Sequence, residues 1–99
     1  MRDALIREFV GLKNELLQKM SPKECVFLWR DPLGNGIALT SDDTLVSKYV
    51  PQVSLSLGPC EPQDLITSFR DKVSKSLTDE ECLKMANQRL RQAIQECPR

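Results

Sequence analysis

Apolar residues recur near the start of the chain with the spacing of a helix. Leu5, Phe9, Leu12 and Leu16 follow one another at intervals of three or four residues. Residues 2–20 are therefore predicted to form a helix that carries these side chains on one face. We expect this face to pack on the sheet that the following residues predict.

Three apolar segments after this helix predict a small sheet. Residues 24–30 and 36–40 are separated by a turn rich in glycine and asparagine, which favours an antiparallel hairpin. The first run is apolar on both faces, which is typical of a central strand or of one covered on both sides. Residues 52–57 alternate between apolar and other side chains, and they predict a third strand with Ser54 and Ser56 on its outer face.

Two further helices are predicted after the sheet. Pro62 is well placed as the first residue of one of them. Thr78 and Glu81 have the spacing of a capping box, which begins a final helix that runs to about Glu96. Both helices carry an inward apolar stripe. It is made of Leu65, Ile66, Phe69, Val73 and Leu77 in the first, and of Leu83, Ala86, Leu90, Ala93 and Cys97, with Ile94 beside them, in the second.

The predicted elements form one α+β domain over residues 1–99. A short helix or turn is expected at 41–49, so the element order is α-β-β-(short α)-β-α-α. This order predicts a small three-stranded antiparallel sheet packed by an N-terminal helix and two C-terminal helices on one face. A chain of 99 residues with 40% apolar and 28% charged residues is long enough and apolar enough for one modest core.

The charge balance narrows the classes of partner. Fourteen basic residues match fourteen acidic ones, and this argues against a general attraction for nucleic acid or anionic lipid. No apolar run approaches the ~20 residues that span a bilayer. Charged residues also interrupt the first helix, unlike the apolar core of a signal peptide. We therefore expect an intracellular protein, cytoplasmic or nuclear, without membrane association.

Residues suited to catalysis are few. Histidine is absent, and the four cysteines, at positions 25, 60, 82 and 97, lack the close pairs of a zinc site. Free thiols are expected for an intracellular protein. Cys60 is the one candidate nucleophile, because it precedes a predicted helix whose N-terminus would lower the pKa of its thiol. A loop cysteine without a special role is the favoured interpretation.

The charged clusters have structural interpretations. Asp42-Asp43 and Asp79-Glu80-Glu81 open predicted helices, where carboxylates interact favourably with exposed backbone N–H groups. The basic residues of the last two helices are interleaved with carboxylates, which is typical of a solvated face rather than a nucleic-acid surface. These basic residues are Arg70, Lys72, Lys75, Lys84, Arg89 and Arg91. We predict no catalytic residue, no cofactor and no metal.

The predicted function is that of a non-catalytic protein–protein interaction module, such as an adaptor, a complex subunit or a small chaperone. The apolar face of the first helix is broader than a small sheet needs, which leaves Ile6, Val10 and Leu17 for a partner. The strand that carries Ser54 and Ser56 could add an edge for strand pairing. The expected partner is another protein or, in a dimer, a second copy of the chain.

Two alternatives rest on the order of the elements. That order is similar to the order in the small paired subunits that bind RNA in the signal recognition particle, which implies an RNA-binding subunit of a small α/β heterodimer. The neutral charge argues against this alternative. Chaperones of secreted effectors are also often small mixed α/β dimers, and they form the second alternative.

Overall fold

Three helices and three strands make up the described part of the chain. The computed structural model describes residues 2–19, 25–33, 36–40, 53–56 and 60–96. The helices are α1 (Arg2–Lys19), α2 (Pro62–Lys72) and α3 (Asp79–Glu96), and the strands are β1 (Cys25–Arg30), β2 (Gly36–Thr40) and β3 (Val53–Ser56). The predicted α+β class is confirmed. The short helix or turn predicted at 41–49 lies outside the described residues.

The hairpin of β1 and β2 is antiparallel, as the turn residues predicted. Its register pairs Arg30 with Gly36 next to the loop. After β1 the chain turns, and the turn is held by the N–H of Leu33, which donates to Asp31 Oδ1 at 3.0 Å. The pairing shifts between Phe27 and Trp29, so β1 carries a bulge.

Two details of the predicted sheet are wrong. β3 lies parallel to β2, not antiparallel. The twelve residues from 41 to 52 separate the two strands, which is the length that a crossover between parallel strands requires. The central strand is β2, not β1, and all five residues of β2 are buried. β1 lies at one side of the sheet, and its apolar run is covered in part because α3 contacts it.

The principal neighbour of α1 is α3, not the sheet as expected. Arg2 forms an ion pair with Asp79, and Glu8 forms one with Arg91. Because both residue numbers increase together, α1 and α3 run parallel to each other. α1 packs on α3 because the apolar surface of α3 is wide. Its buried side chains face α1 as well as α2 and β1.

One core joins the helices to the sheet. Along the observed helices, the faces predicted to be buried are confirmed, since Phe9, Leu16, Phe69 and Leu90 are fully buried. Val73 and Leu77, which were predicted to continue the stripe of α2, lie beyond its last residue and pack half-buried against the core. Cys97 lies outside the described residues. Leu5 and Leu12 are half-buried and pack against the same cluster. Other buried members of this core are Val26, Leu28, Ile37, Leu39, Leu65, Ile66, Leu83, Ala86, Ala93 and Ile94.

Candidate functional site

The residues predicted to contact a partner on α1 lie along one line of the helix. At 100° per residue, Ile6, Val10 and Leu17 fall within an arc of about 40°. Val10 is exposed, at 40% of its full accessibility. Ile6 and Leu17 are half-buried and pack against the core. We call these three residues the α1 stripe, and its most accessible member is Val10.

The α1 stripe borders the start of α2. The ammonium group of Lys13, which lies beside the stripe on the helix, donates to the carbonyl oxygen of Cys60 at 3.0 Å. Cys60 is followed by Glu61, the residue that caps α2. The surface beside Val10 is therefore fixed by a hydrogen bond between residues that are far apart in the sequence.

The other predicted contacts, Ser54 and Ser56, lie on β3. This strand pairs with β2 on one side, and no described strand lies on its other side. The sheet order thus places β3 at a side of the sheet, away from β1. The α1 stripe and β3 lie on different elements, and β3 contacts α2 rather than α1.

The thiol of Cys60 is not activated. Its side chain is buried, and desolvation raises the pKa of the thiol from 9.0 to about 12. The carboxylates of Asp64 and Glu61 raise this pKa further, whereas the ammonium group of Lys13 opposes them. Burial also raises the pKa of the buried Cys82 thiol. The raised pKa is the opposite of the lowered pKa that a nucleophile at a helix N-terminus needs, and desolvation is its main cause.

We expect these thiols to be protected in the folded protein. When the pKa of the Cys60 thiol rises from 9.0 to about 12, the thiolate fraction near pH 8 falls about a thousandfold. Burial also blocks access of the reagent to the sulfur atom. Iodoacetamide labelling followed by peptide mapping should leave Cys60 and Cys82 unlabelled in native protein. Both should be labelled quickly after unfolding in urea. Rapid labelling of Cys60 in native protein would contradict the burial of its side chain.

Three basic side chains of the C-terminal helices have partners within the fold. Arg70 bonds to Asp79 Oδ1 at 2.5 Å and to the carbonyl oxygen of Leu77 at 3.0 Å. Arg89 Nε donates to the carbonyl oxygen of Phe27 at 3.0 Å, and Arg91 pairs with Glu8. Three of the six basic residues in the predicted solvated face therefore connect elements of the fold.

The acidic cluster at the start of α3 caps the helix. Thr78 Oγ1 accepts from the N–H of Glu81 at 3.1 Å, and the N–H of Thr78 donates to Glu81 at 2.9 Å. This confirms the predicted capping box, and the hydrogen bond from the Thr78 backbone is the main reason that the pKa of Glu81 is lowered. Asp42 and Asp43 lie outside the described residues.

A second capping box was missed. Glu61 and Asp64 bond reciprocally at the start of α2, where Pro62 is the first helical residue as predicted. The signal was present in the sequence as a carboxylate three residues before another. It was missed because the usual capping box begins with serine or threonine.

One buried polar residue was also missed. Asn87 is fully buried between α1 and α3, where its Nδ2 donates to the carbonyl oxygen of Leu5 at 3.1 Å and to Glu8 Oε1 at 3.4 Å. Its Oδ1 has no hydrogen-bond partner. A single asparagine inside an apolar stripe gives little signal, because the same residue type is common on exposed helix faces.

Two grooves border α3. One, of about 230 Å³, lies between β1 and α3 and is lined by Leu28, Met85, Gln88, Arg89 and Gln92. The other, of about 280 Å³, lies between α1 and α3 and is lined by Leu12, Glu15, Arg91, Ile94 and Gln95. Sequence patterns did not predict either groove, because each is formed by residues far apart in the chain.

The described residues contain neither a cluster of metal ligands nor a membrane-spanning helix. Across residues 2–19, 25–33, 36–40, 53–56 and 60–96, no group of three metal-ligating side chains converges. None of the three described helices combines the length and the apolar character that crossing a bilayer requires.

Comparison with known proteins gives no relative from which a site could be transferred. No protein-family model matches the chain. No curated protein is significantly similar to it, and no solved structure matches its fold significantly. The functional conclusions therefore depend on the geometry of this chain alone.

Proposed function

We propose that this protein is a non-catalytic interaction module, acting as an adaptor, a complex subunit or a small chaperone. It holds another protein, or a second copy of itself, through the α1 stripe, and the β3 edge with Ser54 and Ser56 is a second point of contact. The observation that carries the proposal is the exposure of Val10, at 40%, between two half-buried apolar residues of the same stripe.

The surroundings of Val10 suit a contact with another protein. Apolar side chains that are partly buried around an exposed one already have restricted rotamers, so less side-chain entropy is lost when a partner covers them. Lys13 is held by its bond to Cys60 and gives the stripe a polar border. An apolar centre with a polar margin is the usual arrangement of a protein interface.

The chemistry of the described residues supports binding rather than catalysis. Catalysis at neutral pH needs a group that can exchange a proton there, or an activated nucleophile. Burial raises the pKa of Cys60 and Cys82, which is the opposite of what a nucleophilic thiol needs. The pKa of Glu81 is lowered by its capping bonds, which keep its carboxylate charged.

We expect Val10→Asp to weaken association about tenfold or more, because a carboxylate would be buried against an apolar partner surface. Sedimentation of the purified protein, from micromolar to millimolar concentration, measures self-association. Affinity capture with quantitative mass spectrometry measures binding to another protein. Ile6→Asp is less suitable, because Ile6 packs against the core and its loss would also lower stability.

Leu33→Asp is the matched control. Leu33 is the other large apolar side chain exposed in the described residues, at 87%, and it lies on the β1–β2 loop rather than on α1. This variant should associate like the wild type. The proposal would be overturned if the wild type is monomeric and captures no protein whose binding depends on Val10. It would also be overturned if Val10→Asp and Leu33→Asp weaken association equally.

A further inference from the structure

Among the described residues, Asn87 alone has a buried side-chain atom without a hydrogen-bond partner, its Oδ1. The side chain is fully buried on α3, and its Nδ2 group donates to two atoms of α1. These are the carbonyl oxygen of Leu5, at 3.1 Å, and Glu8 Oε1, at 3.4 Å. An amide buried with an unpaired oxygen lowers stability relative to an apolar side chain of similar shape. The asparagine at this position therefore needs a reason other than stability.

The apolar faces of α1 and α3 do not by themselves fix how far one helix lies along the other. Both faces repeat at intervals of three or four residues, as Leu5, Phe9 and Leu12 do on α1. A displacement by one helical turn, about 5.4 Å, brings one apolar side chain into the place of another. Hydrophobic burial is non-directional, so it distinguishes such registers less sharply than a directional polar contact does.

The polar contacts of Glu8 are made in one register of the two helices. Its Oε1 accepts from Asn87, and its Oε2 pairs with Arg91. A displacement by one turn would bring Ala4 or Leu12 opposite Asn87 in place of Glu8. The ion pair with Arg91 is partly exposed, so its loss costs little. The amide of Asn87 is buried, so solvent does not replace the bond that it loses.

We propose that Asn87 is a register lock, which selects the one alignment of α1 on α3 at which Glu8 reaches its amide group. A single buried asparagine fixes the alignment of helices in coiled coils in the same way. The selected alignment is also the one in which Lys13 bonds to Cys60, which places Val10 beside the start of α2. The lock acts within the chain, so it does not depend on what the α1 stripe binds.

Replacement of Asn87 by apolar residues tests the lock. In a two-dimensional amide NMR spectrum, the wild-type protein should give one signal for each amide of α1. Asn87→Leu should give additional or broadened signals for α1 and single signals for β2, because α1 then occupies more than one register. Asn87→Ala is a second variant, since leucine is larger than asparagine and its packing disturbs the core. It should give the same pattern of signals.

Two controls separate the lock from other effects of substitution. Gln88→Leu makes the same change at the next residue of α3, whose side chain is exposed. Glu8→Gln keeps an oxygen acceptor for Asn87 but removes the ion pair with Arg91. Both controls should give single signals for α1. Single α1 signals in both Asn87 variants, loss of the fold in both, or additional α1 signals in either control would each overturn the proposal.

Discussion

Gly36→Ala is expected to destabilise the fold by about 3 kcal/mol, because overpacking at a rigid site costs this much. A Cβ atom at this position would overlap the carbonyl oxygen of Trp29 and lie 2.9 Å from the Cα atom of Arg30. These are backbone atoms of the paired strand, so they cannot rotate away. Gly36 pairs with Arg30 in the first rung of the hairpin, and separating the strands there would disturb the whole β1–β2 ladder.

Urea unfolding followed by circular dichroism measures this effect. The midpoint should fall while the slope with denaturant stays the same, because the change acts on the folded state. A loss below about 1 kcal/mol, the size of an ordinary substitution, would mean that the two backbones are not in close contact at this rung.

Gly11→Ala provides a matched control with the opposite sign. A Cβ atom on Gly11 would meet no heavy atom within 4 Å, and the residue lies inside α1. The same substitution should therefore stabilise the protein by about 1 kcal/mol, the difference in helix propensity between the two residues.

The features that the sequence predicted correctly depend on residues close together in the chain. The period of α1 showed which side is buried, because Phe9 and Leu16 recur with the turn of the helix. The capping box of Thr78 and Glu81 joins residues three apart. The hairpin followed from the turn between its two strands.

The features that it missed depend on contacts between distant elements. A helical period shows that Phe9 faces a core, but it does not show whether α3 or the sheet supplies that core. The direction of β3 relative to β2 is set by tertiary packing, which no local pattern determines. The burial of Cys60 has the same origin, because the residue is covered by tertiary packing and its neighbour Lys13 is 47 positions away.

The candidate sites show the same division. Ile6, Val10 and Leu17 could be selected because a periodic apolar surplus is visible in the sequence, although only Val10 is exposed. The β1–α3 groove could not be found in this way, because Leu28 and Arg89 are 61 positions apart and neither is unusual for its element.

Phe9→Ala is expected to destabilise the protein by about 3–5 kcal/mol, the usual cost of removing a fully buried aromatic ring. This is a large part of the roughly 5–15 kcal/mol that holds a domain folded. The reason is that Phe9 belongs to the core shared by α1, α2, α3 and the sheet, so α1 is part of that core and not an appended arm.

Val10→Ala separates the stability of α1 from its proposed binding role. Val10 is the next residue on the helix but is exposed, so its truncation should change the free energy of unfolding by about 0.5 kcal/mol or less. Both variants are compared by urea unfolding, with circular dichroism and Trp29 fluorescence as separate probes. If Phe9→Ala cost no more than Val10→Ala, or if helix loss preceded the fluorescence change in the wild type, α1 would unfold independently. The α1 stripe would then lie on a helix that is not held in place beside Cys60, and the proposed interface would lose its rigid support.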